Sequence, residues 1–287
     1  MKILNFGSIN KDFVYEVKDF VSQGETIESL TFKEFLGGKG LNQSVAVARA
    51  KMKIYHAGCI NRNDENIKNQ LENWGVETRN ICCVDEPTGH AIIQVNNKGD
   101  NSIIIHGGAN RKISLEHIDK TISKFDVDDI LLIQNEINNI PELIERASSQ
   151  KMKIIFNPAP FTEDILNYPL EKIDTIIYNE IEGRGLSGKT TIEEIKGELL
   201  EKFQELNHII TLGDKGSIYF DNKDEISVDA IKAETIDSTA AGDTYIGYYL
   251  ASITNKMTVK DSMVRASRAA GITTEKLGGA ISIPHID

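Results

Sequence analysis

Cysteine, tryptophan and proline are scarce in this 287-residue chain, with three, one and six copies. Three cysteines (Cys59, Cys82, Cys83) cannot build the disulfide framework of a small secreted domain, and none shows C-x-x-C spacing. The reading is reduced thiols in a cytoplasmic protein. Long apolar runs are also missing. Stretches such as Ile130-Leu131-Leu132-Ile133 cover a few residues, against roughly 20 for a membrane span. Asn5 and Gly7 interrupt the N-terminus before an export signal could build up, so no membrane association is expected. Positive charge is in deficit. With 32 Lys+Arg against 43 Asp+Glu the net charge is −11, which repels a phosphate backbone and speaks against nucleic acid as a partner. The six histidines show no metal-ligand spacing such as H-E-x-x-H.

The remainder is ordinary globular material, 40% hydrophobic and 26% charged, enough for one large α/β domain. Short apolar runs alternate with helical patterns, which predicts a mostly parallel sheet between helices. The expected central strands are Ile3–Phe6, 54–57, Ile130–Gln134, 153–156, 175–178 and 208–212. Thr191 followed by Glu194 forms a capping box before Ile192, Ile195, Leu199 and Leu200 at helical spacing. Helices are also expected over 64–74, ending at Gly75, and from about Thr258. Two regions break the alternation. Residues 13–17, 26–29 and 30–35 read as consecutive short strands, and 89–96 with Asn101–His106 flank the hairpin turn Asn97-Lys98-Gly99-Asp100. They form a β-lid at about 11–37 and 88–108 on a single domain spanning 1–287.

Three glycine-rich loops compete as a phosphate cradle. Gly183-Arg-Gly-Leu-Ser-Gly188-Lys189-Thr190 matches the P-loop pattern letter for letter. However, Asn179-Glu180-Ile181-Glu182 separates it from its strand and sets carboxylates beside the supposed phosphates. Gly37-Gly38-Lys39-Gly40-Leu41-Asn42 precedes a helix of small residues (Ser44 to Ala48), which lets backbone approach a ligand; the alternative is a tight turn into a packed helix. The fingerprint G-x-G-x-x-G fails there at Gln43. Asp237-Ser-Thr-Ala240-Ala241-Gly242-Asp243-Thr244 opens a helix with small residues, so unpaired N–H groups gather where an anion would sit. Asp243 in that setting stays ionised and could take a proton from an attacking hydroxyl; alone, it would be an ordinary first-turn acid.

The second and third loops together resemble the two signatures of the ribokinase-like (PfkB-type) carbohydrate kinases. The resemblance runs in order along nearly the whole chain: Gly7-Ser-Ile-Asn10-Lys-Asp12, Thr88 to Ile93, Ile105 to Asn110, Leu132 to Glu136, Asn157-Pro-Ala-Pro160, Asn179-Glu-Ile-Glu182 and Thr211-Leu-Gly213-Asp-Lys-Gly216. It implies the α/β fold with a lid shared across a homodimer, and ATP-dependent phosphorylation of a sugar hydroxymethyl group, D-ribose giving ribose 5-phosphate. By the same resemblance, Asn10, Asp12, Gly38, Lys39, Asn42, Glu136 and Asp243 contact the sugar, and such residue types suit a polyol. Asp243 is the implied base, and the N–H groups of Ala241, Gly242 and Asp243 the anion hole. Asn179, Thr211, Gly213, Gly216, Ala241, Gly242 and Ser267 fall on the nucleotide side. Glu182 is implied to orient Mg²⁺ through water. Asp237, Thr239, Thr273, Lys276, Gly278 and Ser282 are implied to hold K⁺. Tyr178 stands where the family commonly has proline. A nucleoside or pseudouridine kinase, or a catalytically idle sugar sensor, are the alternatives.

Overall fold

This computed structural model describes residues 1–286. Thirteen strands occur in chain order: β1 Ile3–Phe6, β2 Asn10–Glu16, β3 Thr31–Gly37, β4 Ile54–Asn61, β5 Val76–Val84, β6 Gly89–Val95, β7 Asn101–His106, β8 Ile130–Gln134, β9 Lys153–Asn157, β10 Thr175–Asn179, β11 Asn207–Thr211, β12 Ser217–Phe220 and β13 Glu225–Val228. The helices are α1 Lys39–Arg49, α2 Asn66–Asn73, α3 Leu115–Ile122, α4 Ile140–Ser149, α5 Glu180–Ser187, α6 Ile192–Lys202, α7 Ala241–Thr254 and α8 Val259–Thr274. None of the described helices is long and apolar enough to cross a membrane.

Nine strands make one sheet in the order β13-β12-β11-β10-β9-β8-β1-β4-β5, parallel from β11 through to β5, with β12 and β13 antiparallel at one edge. The central strands are near-continuous Ile, Leu and Phe because helices cover both faces. Successive side chains point to opposite sides, so Ile3, Ile130, Leu132 and Ile177 pack with α1, α7 and α8, while Leu4, Phe6, Leu131, Ile133 and Phe156 pack with α3, α4 and α6. The expected strands and helices are present, within a few residues at their ends. Missing from the sequence reading were β5, β12 and β13. β5 (Val-Glu-Thr-Arg-Asn-Ile-Cys-Cys-Val) lies at the sheet's edge and carries polar residues that mask its period; β12 and β13 span four residues each.

The lid is a separate four-stranded sheet, β3-β2-β6-β7, made of two antiparallel hairpins whose inner strands β2 and β6 run parallel. Residues 26–29 are irregular and form no strand, which corrects the expectation there. A second correction concerns the thiols. The register of β4 and β5 sets Cys59 opposite Cys82 with Cα atoms 4.7 Å apart, and the two are joined as a disulfide; Cys83 stays a free thiol.

Candidate active site

The carboxyl ends of the parallel strands deliver the functional residues to one rim, as expected for an open α/β sheet. The turn after β1 carries Gly7 and Ser8, β8 is followed by Glu136, β9 ends at Asn157, β10 at Asn179 and β11 at Thr211. From the other side come the N-termini of α1 and α7. α1 begins after Gly38, whose φ of 91° is in the region glycine favours. A Cβ at Gly38 would also meet the Asn10 amide nitrogen at 3.2 Å. α7 begins after Ala240, in the left-handed region with φ 62°.

Asp243 lies in the first turn of α7, buried, and both its oxygens are held. Asn42 Nδ2 donates to Oδ2 at 3.0 Å and Gln43 Nε2 donates to Oδ1 at 2.9 Å. The Ala241 N–H donates to the Ser238 carbonyl at 3.2 Å. The N–H groups of Gly242 and Asp243 meet no acceptor among the described residues, as first-turn groups of a helix do. A Cβ at Gly242 would meet nothing within 4 Å; the glycine answers to space for a ligand, not to packing.

Two cavities meet at this helix end. One of about 210 Å³ is lined by Lys39, Asn157, Asn179, Glu182 and Asp243. The other, about 660 Å³, is lined by Gly213, Gly216, Ile231, Tyr245, Ser267 and Gly271 among others, and both touch Thr211, Ser238 and Gly242. The expected nucleotide-side residues are thus brought together. Of its apolar wall, Ile231 and Ala233 escaped the sequence reading because residues 229–238 have no periodic structure, while Ala270 and Gly271 face it from α8.

The sugar-side set converges as well. Glu136 Oε2 accepts from the Lys39 N–H at 2.9 Å and from the Ser8 hydroxyl, and Asn10 Oδ1 accepts from Asn110 Nδ2 at 2.7 Å. Asp12 reaches across to Gly37, where a Cβ would stand 2.0 Å from its Oδ2. Burial pushes the Asp12 carboxyl up to about 6, helped by the nearby Glu136 charge. Burial likewise raises Glu136 and Glu182. Burial works against the Lys39 ammonium, but Asp243, Glu136 and Glu182 outweigh it and hold its pKa above the ordinary value. One cation faced by so many carboxylates suits a ligand that brings cations of its own.

Asn179 and Glu182 form a reciprocal cap on α5: Asn179 Oδ1 accepts from the Glu182 N–H at 3.0 Å, while the Asn179 N–H donates to Glu182 Oε2 at 2.8 Å. Asp237 accepts from Thr239 N at 2.9 Å and from Gly278 N at 2.9 Å, which places three residues of the expected K⁺ set side by side. Thr273 donates to Thr244 Oγ1 at 3.0 Å, Lys276 sits one turn on with its N–H 3.4 Å from the Thr273 carbonyl, and Ser282 donates to the Gly279 carbonyl. The P-loop pattern is not a loop at all. Gly183 to Ser187 lie within α5, Gly188 caps it, and Lys189 pairs with Glu198 at 3.2 Å, away from both cavities. Tyr178, in the proline position, is buried with its hydroxyl 3.3 Å from His208 Nδ1.

Comparison with known proteins agrees with this geometry. The profile described as pfkB family carbohydrate kinase matches residues 1–286. Ribokinase of Haemophilus influenzae is 31% identical, covering 97% of this chain and 94% of its own length. Deoxyribokinase of Salmonella typhimurium is 30% identical, covering 100% and 97%. The structure of Arabidopsis thaliana ribokinase complexed with ribose and ATP superposes with a TM-score of 0.87 at 27% identity, over 99% of this chain and 95% of that one. A Methanocaldococcus jannaschii nucleoside kinase shares the fold at 19% identity and TM-score 0.81, over 99% and 95%. With the family model matching residues 1–286 and relatives of 30% identity or more covering nearly the full length, the chain belongs to the pfkB family of carbohydrate kinases and is an ATP-dependent sugar kinase.

Proposed function

We propose that this chain phosphorylates the primary hydroxyl of D-ribose with ATP, giving ribose 5-phosphate and ADP. The observation that carries the reading is the position of Asp243, held by Asn42 and Gln43 at the junction of the two cavities beside the open N–H groups of Gly242 and Asp243. Asn10, Asp12, Gly38, Lys39, Asn42 and Glu136 receive the sugar's hydroxyls. A site built of such groups penalises a sugar lacking one hydroxyl, because its own polar atoms then go unpaired. Asn42 Oδ1 is buried with no partner and awaits a donor of that kind.

Phosphoryl transfer needs alignment and charge neutralisation more than covalent chemistry. Asp243 takes the hydroxyl proton as the sugar oxygen attacks the γ-phosphorus and the bond to the β-phosphate oxygen breaks. The N–H groups of Gly242 and Asp243, with Lys39, hold the developing charge. The cavity's carboxylates fit a Mg²⁺–nucleotide: Glu182 and Asn179 would orient the ion through water, and when bound it neutralises the β- and γ-phosphates. Asp237, with Thr239 and Gly278 hydrogen-bonded to it, would be the charged member of the K⁺ site that the resemblance completes with Thr273, Lys276 and Ser282, and the ion's charge would add to the anion hole. Closure of the lid excludes water. The lid leaves Phe32, Ile103, Ile104 and Ile105 about half exposed or more, which supports a homodimer formed through it.

The test is ADP release from Mg·ATP with ribose, 2-deoxyribose, fructose and nucleosides, with and without K⁺, on the parent and on Asp243→Asn. Ribose-dependent turnover that rises with K⁺ and vanishes in the variant is expected. Turnover on nucleosides alone would overturn the substrate, and sugar binding without turnover would leave a sensor.

A further inference from the structure

Gln43 is fully buried, yet its amide is the inner partner of the proposed base. Nε2 donates one hydrogen to Asp243 Oδ1 at 2.9 Å and the other to Asn157 Oδ1 at 3.2 Å. Oε1 accepts from Gln134 Nε2 at 2.6 Å, and the same Gln134 nitrogen donates to Asn5 Oδ1 at 3.1 Å. Asn5 in turn donates to the Gly40 carbonyl at 2.7 Å and to Ser44 Oγ at 2.9 Å. Asn157 donates to the Ile177 carbonyl at 2.9 Å. An amide nitrogen only donates and a carbonyl only accepts, so each link sets the direction of the next. Asn5, fixed by two acceptors, must offer Oδ1 to Gln134; Gln134 then has only a hydrogen to give Gln43; and Gln43 must present NH₂ to Asp243. Turning the Gln43 amide over would set its oxygen against the Asp243 carboxylate and against Asn157 Oδ1, and its nitrogen against Gln134 Nε2, three mispairings around a fully buried side chain.

We infer that Gln43 is a positioning residue for the transfer step: its amide, oriented by the buried Gln134–Asn5 relay, locks Asp243 Oδ1 while Asn42 holds Oδ2, and so fixes the orientation in which the carboxylate meets the sugar hydroxyl. This rests on Asp243 acting as the base. The nearest charges around the pair are Lys39 on the same helix, Glu136 after β8 and Glu182 on α5. On the far side Ser44 Oγ lies 2.8 Å from Nδ1 of His56, whose pKa burial lowers to about 4, so it is neutral. No other charged group hydrogen-bonds this relay.

A carboxylate released from one charge-assisted hydrogen bond loses its fixed orientation, which corresponds to roughly a 10- to 100-fold change in rate. The experiment measures kcat and both KM values, with melting temperatures, for Gln43→Met, Gln43→Glu and Asp243→Asn, using ribose or whichever sugar the parent turns over. Gln43→Glu keeps the shape and the acceptor toward Gln134 while removing the amide donor, so it serves if Gln43→Met does not fold. The expected result is kcat lowered 10- to 100-fold in the Gln43 variants, with sugar and ATP KM within about twofold of the parent. Retained kcat in Gln43→Glu, or KM rising in step with the loss, would overturn the inference and leave Gln43 a packing amide. Loss of kcat in Asp243→Asn alongside intact Gln43 variants removes only Gln43's role; intact turnover in Asp243→Asn removes the base reading itself, and this inference with it.

Discussion

Asn42 Nδ2 stands 3.0 Å from Asp243 Oδ2, closing a contact across 201 residues of chain. It joins the glycine-rich entry of α1 to that of α7. The two helices pack closely because Gly247 of α7 meets Ala46 of α1, where a Cβ would come within 2.3 Å of the Ala46 methyl. Small residues therefore let two distant motifs act as one site.

Asp12 makes the empty protein sensitive to pH. Its folded value of about 6 lies above the ordinary 3.8, chiefly through burial. The folded state therefore binds this proton more tightly than the unfolded state does. The associated stability is full below about 3.8 and is lost as pH rises through about 6, up to roughly 3 kcal/mol for a shift of this size. Thermal melts of the sugar-free protein from pH 4 to 7 should show a decline that is shallower in Asp12→Asn. Identical slopes would mean Asp12 titrates normally.

Lys11 ties the lid to the body. Its ammonium pairs with Asp64, which also accepts from Thr88 Oγ1 at 2.6 Å, and Thr88 accepts from the Asn61 N–H at 2.8 Å. The cluster joins the start of β2 and the approach to β6 to the turn after β4. A partly exposed pair contributes about 0.5–1 kcal/mol, or a two- to fivefold effect. Lys11→Met should raise the sugar KM by about that factor and leave kcat nearly unchanged; a kcat effect of the same size would place Lys11 in the chemistry instead.

Among the described residues Lys39 is the cation that faces Asp243, Glu136 and Glu182. Lys39→Met should lower kcat/KM by roughly 100-fold or more, since a buried counter-charge to the phosphoryl group is lost. Circular dichroism would check that the variant folds, and activity within tenfold of the parent would contradict the role.

The Cys59–Cys82 bridge closes a sequence separation of 23 residues. A loop of this length is stabilised by about 3 kcal/mol in the chain-entropy picture. Adding reductant, or substituting Cys59→Ala, should lower the melting temperature by several degrees. A melt unmoved by reductant would return both cysteines to the thiol form.

Much of the molecule is legible in one dimension. The central strands show as apolar runs because both faces of the sheet are covered, and Thr191 with Glu194 marks its helix start because a cap is a local structure. Resemblance along the chain names the residues that the structure gathers around Asp243, including Lys39, Asn42 and Glu136. Other features depend on what lies opposite. Gly183 to Thr190 reads as a P-loop letter by letter, yet Gly183 to Ser187 coil into α5 and Gly188 caps it, because a pattern does not specify the partners that would hold it open. The Cys59–Cys82 pairing follows from the register of an edge strand too polar to be seen by period. The Gln43 relay is the clearest case. In sequence Gln43 is only the residue that spoils a glycine fingerprint; a buried amide gains meaning from the donors and acceptors around it, and those come from β1, β8, β9 and α7. The sequence by itself determined the sheet, the helix caps and the residue types of a kinase site. How the Asp243 carboxylate is held, Oδ1 by Gln43 and Oδ2 by Asn42, was decided only in three dimensions, since hydrogen-bond direction is a property of neighbours in space.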